Sequence, residues 1–116
     1  MGKTAIVILA GPGSHENMGR LTNALKTAEE LEDHDDEYRV IFDGAGTQWV
    51  EELNDSDHQL HDLFDKVRDR AGLCKFCAKA FDVDEPGSHG IDVLDDYKDH
   101  PSLRQLQDDG YQILTF

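Results

Sequence analysis

The chain is poor in cysteine, with two in 116 residues, and poor in positive charge, with 11 Lys and Arg together. Two thiols cannot build the disulfide framework of a small secreted domain, and a single domain of this length needs no such staple. No stretch approaches the ~20 apolar residues of a membrane-spanning helix. The opening "MGKTAIVILAGPG" has one Lys, a short apolar run and no convincing cleavage site, so it reads as a first strand rather than a signal peptide. These absences lead us to expect a cytoplasmic protein. Against the few basic residues stand 25 Asp and Glu, for a formal net charge of −14. Such a surface repels nucleic acid and anionic membranes, which excludes both as expected partners. The acids recur along the whole chain, in "EELEDHDDE", "DVDE", "DDYKD" and "QDDG". That dispersion reads as adaptation to high salt, where self-repulsion is screened, rather than as one acidic docking face.

Apolar patterning predicts alternating strands and helices across one domain, residues 1–116. "TAIVILA" (4–10) is a continuous apolar run, as in a strand covered on both faces. A helix follows from about Ser14, its N-cap, with Met18, Leu21, Leu25 and Ala28 on one stripe. "YRVIFDG" (38–44) is a second strand, "TQWVEEL" a short helix, and residues 59–70 a further helix carrying Leu60, Leu63, Phe64 and Val67. "AGLCKFC" (71–77) is a third strand and "AKAF" restarts a helix. "IDVLDD" is a fourth strand. Pro101 fits the first turn of a last helix, Gly110 its C′ position, and "YQILTF" the final strand. The alternation implies an α/β fold: a three-layer α/β/α sandwich around a mainly parallel sheet of about five strands. Ligands of such sheets bind beyond the carboxyl ends of the strands. Here those ends are "GPGSHE", "DGAGT", "CKFCAK" and "DDYKDH", which bring His15, Asp43, Gly44, Cys74, Cys77, Asp95, Asp96, Tyr97 and His100 to one rim.

The chemistry on that rim is open in several directions. "GPGSHENMG" opens a helix but is neither G-x-G-x-x-G nor a P-loop, so it reads as a capped turn. Cys74 and Cys77 form the only C-x-x-C. Zinc would need further ligands from His15, His58, His61, His89 or His100, and no second C-x-x-C supplies them, so neither a metal set nor a cofactor is assigned. A dithiol redox pair fits the spacing. So does a single reactive Cys77 at a helix start, where free N–H groups, Lys75 and Lys79 would favour thiolate. So does a pair of small buried residues.

Three blocks carry a resemblance: "VIFDGAGTQW" (40–49), "CKFCAKAF" (74–81) and the ending "DDYKDHPSLRQLQDDGYQILTF" (95–116). In these the chain resembles the DsrE/DsrF-like family (DsrEFH, TusBCD-type). The resemblance implies a parallel-sheet α/β/α domain that assembles as a homo-oligomer. It also implies sulfur handling, in which a cysteine after the third strand accepts sulfur as a persulfide from one protein and passes it to another. By position that cysteine is Cys77, with Cys74 an extra, candidate resolving thiol and Lys75 and Lys79 in support. His15, Asp43, Gly44 and Asp96 are candidate binding residues. The rival readings are a C-x-x-C dithiol oxidoreductase and a non-catalytic binding or assembly module.

Overall fold

The computed structural model describes residues 2–116. Five parallel strands form one sheet in the order β4-β3-β2-β1-β5. They are β1 (Lys3–Ile8), β2 (Glu37–Phe42), β3 (Ala71–Cys74), β4 (Asp92–Leu94) and β5 (Tyr111–Thr115). The helices are α1 (His15–Asp33), α2 (Trp49–Leu53), α3 (His61–Val67), α4 (Lys75–Ala80) and α5 (Leu103–Asp108). A 3-10 turn, Gly44–Gln48, leads into α2.

The apolar run of β1 earns its central place: Ala5, Ile6, Val7 and Ile8 are all buried. Ile6 and Ile8 join Val40 and Phe42 of β2 and Leu73 of β3 under Leu21, Leu25, Trp49, Leu53 and Phe64 from the helices. Side chains alternate across a strand, so Arg39, Ile41, Gly72, Asp92 and Leu94 belong to the opposite face. There the long return from β4 to β5 lays α5, and a cleft of about 380 Å³ opens between Arg39, Ile41, Leu94, Gln105 and Leu106. These are the three layers the alternation implied.

Local signals explain most boundaries. Ser14 Oγ accepts the Asn17 N–H at 3.1 Å and caps α1, and Leu21, Ala24, Leu25 and Ala28 form its buried stripe. Gly110 follows the α5 cap with φ 94°, the left-handed geometry that glycine adopts freely. Two expectations need correction. The third strand stops at Cys74 and α4 begins at Lys75, so Cys77 lies inside the helix. Pro101 precedes α5 rather than opening it, because Ser102 is the cap and its Oγ accepts the Gln105 N–H at 3.1 Å.

Candidate functional site

Four side chains from four segments meet at the carboxyl rim. Asp43 follows β2 and caps the 3-10 turn, its Oδ1 accepting the Gly44 N–H at 2.8 Å. Cys74 is the last residue of β3 and the cap of α4, and its buried Sγ accepts the Cys77 N–H at 3.3 Å. Cys77, half-buried in the first turn of α4, donates its S–H to Asp43 Oδ1 at 3.3 Å. His100 arrives from the β4–α5 loop with Nδ1 3.2 Å from Cys74 Sγ. One ligating atom from each residue lies within 4.8 Å of all the others.

The loop that delivers His100 is tied down on both sides. Tyr97 and His100 exchange backbone hydrogen bonds of 2.8 Å, closing a reversal through Lys98 and Asp99, which both have positive φ. The Phe76 N–H donates to the Asp99 carbonyl at 2.8 Å, and the Phe76 ring packs against the His100 imidazole, centroids 4.8 Å apart. Beside the cluster a cleft of about 330 Å³ runs between Asp43, Tyr97, His100, Pro101 and Arg104.

Both thiols are held protonated. Burial pushes Cys74 up to about 12. Burial also raises Cys77 and outweighs the lowering from its hydrogen bonds with Cys74 and the Gly44 N–H, while the Asp43 carboxylate adds lesser raises by hydrogen bond and by charge. The expectation of a thiolate favoured by the helix start is therefore reversed. α4 has only six residues, and exposed Lys75 pairs with Asp99 at 3.8 Å. We expect Cys77 to alkylate slowly at neutral pH, with its rate still rising above the ~8.5 reference of a free thiol. Asp43→Asn should move that inflection down slightly, since it removes a charge that adds to the effect of burial while an amide oxygen can still cap Gly44. An inflection below ~8.5 in the unaltered protein would contradict the burial of this thiol.

Of the other candidates, Gly44 joins the site through its N–H. Lys75 and Lys79 sit exposed on α4, and His15 is exposed at the start of α1, outside the cluster. Asp96 is exposed and borders the cleft on the sheet's second face. His58, His61 and His89 hold loops, through the Leu60 N–H, the Leu53 carbonyl and the Asp84 carbonyl respectively. Phe76 and Phe81 are exposed in the single chain, whereas Trp49 is core.

The pattern of these blocks extends beyond the rim. A model of the DsrE/DsrF-like family matches residues 2–116. The chain belongs to the DsrE/DsrF-like family. It is also similar to the uncharacterized protein MJ0733 of Methanocaldococcus jannaschii, 33% identical over 98 residues that cover 84% of this chain and 81% of that one. No solved structure matches it. Among the described residues of this DsrE/DsrF-like chain, no helix is long and apolar enough to cross a membrane.

Proposed function

We propose that this DsrE/DsrF-like protein handles sulfur, with Cys77 as nucleophile and persulfide carrier and Asp43 as its base. The hydrogen bond from Cys77 Sγ to Asp43 Oδ1 carries the reading. A carboxylate within hydrogen-bond reach can take the thiol proton as the sulfur attacks, so a raised pKa is no bar to reaction. The thiolate attacks the outer sulfur of a donor persulfide, R–S–SH, and the donor S–S bond breaks. The donor leaves as a thiolate and recovers the proton from Asp43. The products are R–SH and Cys77–S–SH. An acceptor thiol reverses the same step on the outer sulfur of Cys77. Donor and acceptor are proteins in this reading, and the chain works in the cytoplasm as a homo-oligomer. Cys74 is the resolving thiol.

Incubation with a sulfane-sulfur donor, followed by intact mass, tests the reading. The reduced protein should gain the mass of one sulfur, Cys74→Ser should retain the gain and Cys77→Ser should lose it. No adduct on the unaltered chain, or an adduct that survives Cys77→Ser, overturns it.

The two sulfurs lie within 4.8 Å of each other, and this proximity favours a second reading, a dithiol oxidoreductase. It requires a reversible Cys74–Cys77 disulfide at cytosolic potentials, and thiol trapping across a glutathione redox series decides it.

A further inference from the structure

The sulfur-carrier reading uses Asp43 and the thiols but leaves His100, which meets them, without a role. We propose that Asp43, Cys74, Cys77 and His100 form a four-ligand site for a single zinc ion. Each contributes one ligating atom, all within 4.8 Å of one another. Tetrahedral zinc with bonds of ~2.3 Å to sulfur, ~2.0 Å to nitrogen and ~2.0–2.2 Å to oxygen places its ligand atoms roughly 3.3–3.8 Å apart. Two of the contacts, Cys77 Sγ to Asp43 Oδ1 at 3.3 Å and Cys74 Sγ to His100 Nδ1 at 3.2 Å, already lie at or just inside the short end of that spacing. No pair is more than 4.8 Å apart, so the widest closes by at most about 1.0–1.5 Å on a tetrahedral ion.

The donor set selects the metal. Two thiolates and an imidazole suit zinc and disfavour the magnesium and calcium that the chain's many carboxylates would attract. Four protein ligands are the count of a closed zinc site. The two thiol protons go to solvent on binding, leaving two thiolates and one carboxylate around the cation. The surroundings orient the ligands as a metal centre needs. The Cys77 N–H points at Cys74 Sγ, the Gly44 N–H at Asp43 Oδ1, and the Phe76 ring lies against His100. Among the described residues no other group of three or more His, Cys, Asp or Glu side chains converges in this way.

The C-x-x-C spacing alone gave half of this set. His100 supplies a ligand the sequence could only propose among five histidines, and Asp43 supplies one it did not consider. Because Cys77 is a ligand, zinc and sulfur compete for one thiolate, and the zinc-bound protein is closed to sulfur donors.

Titrating the full, reduced chain with cobalt and then zinc tests the site, in high salt with excess magnesium to occupy the surface carboxylates. One cobalt per chain should bind, with the intense visible absorption of a tetrahedral ion and a thiolate-to-cobalt band in the near ultraviolet, and zinc should displace it. Alkylation of Cys77 should be lost with zinc bound and return with a chelator. His100→Ala should weaken binding by about 100-fold or more, beyond the ~10–100-fold cost of removing a group outside the ligand set. Cys74→Ser and Cys77→Ser should each lose the tetrahedral spectrum. Asp43→Asn, on the surface of the cluster, provides a weakened variant if burial makes Cys74→Ser unstable, with far-ultraviolet circular dichroism reporting the fold. Only weak octahedral cobalt absorption, or an affinity unchanged in both His100→Ala and Asp43→Asn, overturns the proposal. Sulfur loading of the metal-free protein is read separately by mass, so either idea can fail alone.

Discussion

Gly46→Ala should lower the unfolding midpoint by roughly 12 °C, from an overpacking cost of ~3 kcal/mol at about 4 °C per kcal/mol for a domain of this size. A Cβ added at Gly46 would lie 2.0 Å from the Ile8 carbonyl oxygen and 2.8 Å from its carbon. Both are backbone atoms at the end of a central strand, and the same carbonyl accepts the Asp43 N–H at 3.0 Å. The strand cannot yield cheaply, so the turn Gly44–Gln48 must lift. Asp43 and the Gly44 N–H then move away from Cys77, and the variant should lose sulfur loading and metal affinity along with stability. Gly19→Ala is the control. It is an exposed site in α1 with nothing within 4 Å of the added Cβ, and alanine there should gain about 0.5–1 kcal/mol through helix propensity. Thermal unfolding of both in high salt checks the contrast. A Gly46→Ala midpoint equal to that of the parent would mean that β1 and the turn approach less closely than described.

The sequence carried the layers and the rim because both rest on local signals. The apolar run of "TAIVILA", the cap at Ser14 and the glycine at 110 each act within a few residues, and a parallel sheet sends successive strand ends to one side. The end of the third strand was not legible. "AGLCKFCAKAF" stays apolar across the boundary, and the switch is decided by Cys74 turning its sulfur to cap α4. The protonation of Cys77 was misread for a similar reason. The helix start is its neighbour in sequence, but the raised pKa comes first from burial, which the tertiary fold creates, and then from a carboxylate 34 positions away. His100 reaches Cys74 across 26 positions by a reversal at Lys98 and Asp99, two non-glycine residues at positive φ. Asp99 tolerates that geometry but Lys98 does not favour it, and aspartate is so frequent in this chain that it marked no turn here.

Trp49→Ala should cost about 3–5 kcal/mol, a large share of the 5–15 kcal/mol that holds a domain together. Trp49 is 2% exposed, among the largest side chains in the core. Its indole also holds the rim: Nε1 donates to the Ala10 carbonyl at 2.6 Å. Ala10 lies in the loop after β1, where the Leu9 and Ala10 N–H groups both donate to the Phe116 carbonyl, at 2.9 and 3.2 Å. One side chain therefore joins the ends of β1 and β5 to the turn that carries Asp43. Trp49→Phe separates the two contributions, since it keeps most of the buried ring and leaves the Ala10 carbonyl without its donor, for about 1–3 kcal/mol. Urea unfolding followed by circular dichroism should show lower midpoints with an unchanged slope, Ala far below Phe. Equal losses in the two variants would assign the stability to the hydrogen bond rather than to ring burial. A loss under about 1 kcal/mol in Trp49→Ala would contradict the buried position itself.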